Sequence, residues 1–399
     1  MIPLLLLLIL ACVPVHAGVT EIASGSMLGQ RFKPDRFYLR TSRHGEWKLT
    51  YSEGRYRGKA RGKLMMLRAA QGLFADEHTP PPGFNADHNT NELIAALDLY
   101  KEHGLLGISV SLQGAEAGYA KTSGDGSGSG ASVGAEQKRP LVSAFLPDGS
   151  LKRDWMDRLE RLLTAADKRN MVVCLIYFDP GQDQVFESDE AIITAAHNIT
   201  DWLIAKDFRN VVIDVANEWD LNNGDDWEHG RFIPENIAGL VNEVRERFHD
   251  AAFTLPIGAS TSGVMTYPAS LAQWCDVVLI HGDGRSPQEK VALIQPLKET
   301  PRPVWMIEDD NGLKSTKENL SREEASLEAV FQATAGWGYM PWSQAEQYPF
   351  EYLPGPSSEF ADEMPPQERD AAYFRAVLEN IARLVLKKPP STVAKKKKG

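Results

Sequence analysis

Two acids in this chain stand where an acid is expensive. Asn217-Glu218 closes the apolar run that starts at Val211, and Glu308 closes a second run that starts at Val304. A carboxylate at the tip of a buried strand loses its hydration, so it must be paired or put to work. Two such acids facing one another suit the cleavage of a glycosidic bond. One protonates the departing oxygen, and the other attacks the anomeric carbon or activates water. Carboxyl groups about 5–5.5 Å apart would give retention of configuration, and about 6.5–9.5 Å inversion. Further side chains near strand ends are candidate substrate contacts: Tyr177, Gln113, His281, Trp342 and, beside the first acid, Trp219. Each has a plainer reading as packing or loop support. Glu218 could be a salt-bridged or capping acid, and Asp309 or Asp310 could replace Glu308 as the working group.

These acids must be carried by elements that aim them at one place. Eight mostly apolar runs begin at Lys63, Leu105, Met171, Asn210, Phe253, Asp276, Arg302 and Gly336. Continuous apolar runs mark strands buried on both faces of a parallel sheet. Amphipathic helical patterns lie between nearly all of them, the weakest after the fifth run. Capping boxes are expected at Ser286 with Glu289 and at Ser321 with Glu324. Eight alternating units predict an α/β fold, a (β/α)8 TIM barrel, over residues 62–388, with a short β-rich extension at 18–61. No G-x-G-x-x-G follows an early strand, which argues against a dinucleotide-binding sheet. Counting along the runs places Glu218 on the fourth barrel strand and Glu308 on the seventh. Barrel enzymes build their sites at the strands' C-terminal ends. Long loops follow the first two strands there, and the second has a Gly/Ser-rich middle at 123–132.

With these residues in place, the chain resembles clan A of the glycoside hydrolases, and the cellulase-like members of family 5 most closely. In that clan an Asn-Glu pair closes the fourth strand and a Glu closes the seventh. The resemblance implies Glu218 as general acid/base, Glu308 as nucleophile and Asn217 as donor to the sugar 2-hydroxyl. It also implies His281 near the end of the sixth strand as a site residue and Trp342 as an aromatic platform after the eighth. Many clan members carry an Arg at the end of an early strand. Here Arg68 reads as lying mid-strand, with Gln71 and Gln113 at the strand tips instead.

A formal net charge of −11 argues against a nucleic-acid partner, which would want clustered Lys and Arg. The expected partner is a carbohydrate, and nothing in the sequence requires a cofactor. Two other functions stay open on this fold. One is a non-catalytic carbohydrate-binding barrel. The other is a metal-dependent hydrolase using His78, His229, His281, Asp283, Glu308 and Asp310, although neither H-x-H nor H-E-x-x-H spacing is found. Residues 1–17 read as a signal peptide, too short to span a membrane, so the expectation is a secreted or periplasmic protein. Lipid anchoring through Cys12 is the alternative. Cys174 and Cys275 sit in or beside apolar runs and read as small buried hydrophobes. Residues 389–399 read as a disordered basic tail, and the sequence leaves the oligomeric state open.

Overall fold

A computed structural model describes the backbone of residues 19–24, 35–41 and 47–51, and residues 64–387 apart from 78–79, 81, 115–140, 222–226, 231–235, 252, 254, 263–266, 301, 310–314, 334 and 360. The expected signal peptide, the 123–132 segment and the basic tail lie outside the described residues, as do His78, Asp310 and Cys12. Within 18–61, β1 (Val19–Ser24), β2 (Asp35–Thr41) and β3 (Trp47–Tyr51) pair antiparallel in a small sheet of their own.

All eight apolar runs become barrel strands. The first four are β4 (Met65–Arg68), β5 (Gly107–Ser111), β6 (Val172–Phe178) and β7 (Val211–Ala216). The fifth is interrupted at Ala259 into β8 (Ile257–Gly258) and β9 (Ser260–Thr261). Then come β10 (Val278–His281), β11 (Val304–Asp309) and β12 (Gly336–Tyr339). The sheet order is β8-β7-β6-β5-β4-β12-β11-β10-β9 with every pairing parallel. Because β8 and β9 are two pieces of one strand, nine segments make an eight-stranded ring that closes on itself. The strands are buried along their whole lengths, as their unbroken apolar character requires.

The helices follow the amphipathic patterns: α1 (Ala86–Glu102), α2 (Arg153–Lys168), α3 (Asp189–Ala205), α4 (Ile237–Asp250), α5 (Ala269–Trp274), α6 (Pro287–Leu297), α7 (Lys317–Gln332) and α8 (Pro366–Leu386). The weak fifth pattern is the six-residue α5. Ser286 and Glu289 form the expected capping box at α6, with Pro287 in the first turn. The box at Ser321 does not form. α7 starts five residues earlier, capped by Thr316 on the Asn319 amide, so Ser321 lies inside the helix and donates to the Lys317 carbonyl. Cys174 and Cys275 are both free and buried. Among the described residues no helix is long and apolar enough to cross a membrane.

Candidate active site

The fourth strand delivers its acid through a strained turn. Asn217 holds the end of β7 by donating its amide to Phe178 O at 2.9 Å. Glu218 then adopts φ 48°, the left-handed region that a side chain makes costly. Ser260 on β9 braces it: the Glu218 amide lies 3.3 Å from Ser260 Oγ, and the Trp219 amide donates to Ser260 O at 3.2 Å. The Glu218 carbonyl accepts from Trp227 Nε1 at 3.2 Å and from the Leu221 amide at 3.0 Å.

The seventh strand solves a different problem. Side chains alternate across a strand, so Met306 and Glu308 should share one face and Asp309 the other. The registers deny this. On one flank Ile280 pairs with Met306 and the next residue, His281, with Glu308. On the other flank Trp337 pairs with Met306 and Tyr339 with Asp309. One step on β10 is thus matched by two on β11, and two steps on β12 by three. β11 carries one extra residue, a β-bulge around Ile307. Past it, Asp309 shares the outward face of Met306, and Glu308 is left to face the barrel mouth. A Cβ at Gly282 would collide with Met306 Sδ and lie 3.2 Å from Lys290 Cε, which places Met306 on the Lys290 side.

Around Glu218 and Glu308 the structure gathers two basic side chains. Arg68 Nη1 lies 2.7 Å from Glu308 Oε2 and donates to Asn217 Oδ1 at 3.4 Å. His281 Nδ1 is 3.0 Å from Glu218 Oε1 and 3.5 Å from Glu308 Oε2. Burial works against the charged form of His281, but Glu308 and the Glu218 hydrogen bond outweigh it and raise its pKa. Burial likewise opposes the charge of Arg68, yet Glu308, Glu346, Asp179 and Glu218 together push its pKa upward. Oxygens of Glu218, Glu308 and Asp283 and a ring nitrogen of His281 all lie within 4.8 Å of one another. The Glu218 side chain is 23% exposed and that of Glu308 10%, so Glu218 is the more open to water.

A second layer of acids lies beneath. Asp179 ends the third strand, accepts from Ser111 Oγ and has its pKa pushed up to about 6 by burial, against the pull of Arg68. Asp214 accepts from the Ser260 amide at 2.9 Å, and burial raises it to about 7. Glu346, in the turn Trp342–Glu346 after β12, accepts from the Ala70 amide at 3.0 Å and from Gln71 Nε2 at 3.4 Å. Burial raises it to about 7 as well, with Arg68 again opposing.

Glu218, Glu308, Asn217 and His281 therefore come together, as the sequence anticipates. Arg68 corrects the expectation: β4 ends at Arg68 and the chain turns at once into a 3-10 helix, Ala70–Leu73, so its guanidinium reaches Glu308. Tyr177 is a second correction. It is fully buried and its hydroxyl pairs with Thr200 Oγ1 of α3 at 3.3 Å, on the helix side of the wall and away from the mouth. Gln113 is a third. Its carboxamide is spent on Ser143 Oγ, Gln182 O and the Asp179 amide, so it supports loops and leaves nothing for a sugar. Trp219 is 1% exposed and packs in the core instead of walling a subsite. Trp342 opens the turn after the eighth strand and is partly exposed. Asp309 is not the working acid, because it is fully buried against Lys290 at 2.7 Å. Asp179 escaped the sequence reading although it carries the signal that singled out Glu218, an acid ending an apolar run. Glu346 carries no such signal.

No protein-family model matches the sequence, and no curated protein matches it. Solved structures do match in fold. A GH5-4 broad-specificity endoglucanase from Clostridium longisporum superimposes with a TM-score of 0.52 at 12% identity, over 80% of this chain and 95% of that one. A family 5 xyloglucanase from Paenibacillus pabuli gives 0.50 at 10% identity, over 80% and 98%. The barrel of this chain is thus the barrel seen in family 5 glycoside hydrolases.

Proposed function

We propose that this protein is a retaining glycoside hydrolase that cleaves a poly- or oligosaccharide by double displacement. The observation that carries the reading is the approach of the Glu218 and Glu308 carboxylate oxygens to within 4.8 Å, at the C-terminal ends of the fourth and seventh strands. That spacing favours retention and leaves little room for the water an inverting enzyme needs between its acids. Glu308, positioned by the Arg68 guanidinium 2.7 Å away, attacks the anomeric carbon. Glu218, linked to His281, protonates the departing oxygen, then takes a proton from the water that releases the sugar. Asn217 turns its carbonyl oxygen to Arg68 and Ser260, which leaves its amide hydrogens for a substrate hydroxyl. Trp342 supplies a partly exposed indole for a sugar face.

The test is Glu218→Gln on a substrate panel that includes β-glucans, xyloglucan and activated aryl glycosides. The variant should lose at least 100-fold on unactivated glycosides yet retain the first step, seen as a burst, on aryl glycosides with good leaving groups. Equal loss on both would remove Glu218 from the acid role.

A metal-dependent hydrolase is the second reading, favoured by the cluster of Glu218, His281, Asp283 and Glu308. Arg68 weighs against it, since a cation fixed there would share Glu308 with a guanidinium 2.7 Å away. Activity that vanishes with a chelator and returns with a divalent ion would favour the metal.

A further inference from the structure

Glu308 is followed by a second acid that the mechanism does not use. Asp309 is fully buried, and so is its partner Lys290 of α6, with Nζ and Oδ1 2.7 Å apart. Trp337 Nε1 of β12 donates to Asp309 Oδ2 at 2.6 Å, and Lys290 Nζ donates to Ser326 Oγ of α7 at 2.9 Å. One carboxylate thus ties the end of β11 to a neighbouring strand and, through the lysine, to two helices. Burying both charges costs hydration that their mutual attraction repays only in part, so such a pair is weak evidence for stability. Its best-attested use is to fix a register. Here there is a register to fix. Without the bulge at Ile307, Asp309 would face the mouth and Glu308 would face the helices, because a slip of one residue exchanges the faces of a strand. An Asp in the mouth is shorter by a methylene and could not reproduce the contact of Glu308 with Arg68. Lys290 and Trp337 together give a charged anchor a two-sided seat behind the wall that favours the observed arrangement; an apolar residue at the same position would gain nothing from it.

We propose that Asp309 and Lys290 are positioning residues, a buried ion pair that holds the bulged end of β11 so that Glu308 faces the barrel mouth. The role assigned to Glu308 rests on the glycosidase reading; the role of the pair in setting its direction does not.

The experiment compares two double variants of the full chain with the wild type. In Lys290→Met with Asp309→Leu the pair becomes apolar. In Lys290→Gln with Asp309→Asn it stays hydrogen-bonded but neutral. Crystal structures report the register of β11 and the Arg68–Glu308 contact, and kinetics report kcat and KM on the best substrate. The apolar variant should fold, lose the bulge or the contact with Arg68, and drop kcat at least 100-fold with KM within about threefold. The neutral variant should keep the bulge and stay within about tenfold of wild-type kcat. An apolar variant that retains both the bulge and the contact overturns the proposal. So does one that fails to fold while the neutral variant folds and keeps its register, since the pair would then serve stability. If the wild type hydrolyses no glycoside, the glycosidase reading falls, and the two structures still decide the proposal.

Discussion

Glu346 makes a thermodynamic prediction with an unusual sign. The side chain is 2% exposed, and burial lifts its pKa from 4.5 to about 7 although Arg68 pulls the other way. The folded state therefore binds this proton more tightly than the unfolded chain does. Below pH 4.5 both states are protonated and the group contributes no pH dependence. Between 4.5 and about 7 the unfolded chain gives up the proton first, so stability falls as pH rises, and above about 7 the loss is complete. At about 1.36 kcal/mol for each pH unit of that interval, the ionised side chain costs the fold roughly 3 kcal/mol. Glu346→Gln keeps the shape and an oxygen for the Ala70 amide. Its new amide hydrogens can meet Gln71 Oε1, a buried acceptor with no partner in the described structure, once the Gln71 carboxamide turns over. Urea unfolding from pH 4 to 8 should show the two proteins alike near pH 4 and the variant ahead by roughly 3 kcal/mol at pH 8. A constant difference across that range, or a wild type that is the more stable at pH 8, would refute the account of Glu346 as an acid held against its ionised form.

Removing Arg68 should act at the opposite extreme. Arg68→Met strips a buried carboxylate of its ionic partner and should cost about 3–5 kcal/mol in urea unfolding at pH 7; a loss below about 1 kcal/mol would mean that His281 alone suffices for Glu308. The start of α7 can be tested on the surface. Thr316→Ala should cost about 1 kcal/mol through the lost cap, whereas Ser321→Ala should change stability by less than about 0.5 kcal/mol in thermal or urea unfolding, and the reverse order would restore the cap to Ser321.

The barrel was legible because strands buried on both faces must be apolar throughout, and that run length survives any detail of packing. Glu218 and Glu308 were legible for the converse reason, an acid ending such a run. Sequence periodicity failed where local geometry departs from the average. Arg68 looked mid-strand because Ala69 and Ala70 continue an acceptable strand pattern, while the chain in fact turns into a 3-10 helix at Ala70. Tyr177 looked like a substrate contact because it nears the end of β6, yet the alternation of that strand sends it to Thr200. Asp309 could not be told from Glu308 by spacing, since the choice is made by a bulge that only pairing on both flanks reveals. Ser321 had the right neighbours for a cap, but a helix can begin one turn earlier whenever a better residue offers, and Thr316 does.

The interruption of the fifth strand at Ala259 gives the barrel a seam. Each half of that strand holds its neighbour through only two register pairs, against five between β5 and β6. Local opening is cheapest where the fewest bonds must break, so on warming the ring should part here before it loosens elsewhere. Ser260 sits on this seam and is bonded to the amide of Glu218, the carboxamide of Asn217 and the carboxylate of Asp214. Glu308 is held by Arg68, by His281 and by the Gly282 amide on its carbonyl, while the next residue, Asp309, is tied to β12. On the roles proposed above for Glu308 and Glu218, a molecule whose seam has opened would keep its nucleophile in place while its acid wanders, so heat should silence the site in two stages, the proton donor first and the covalent step last.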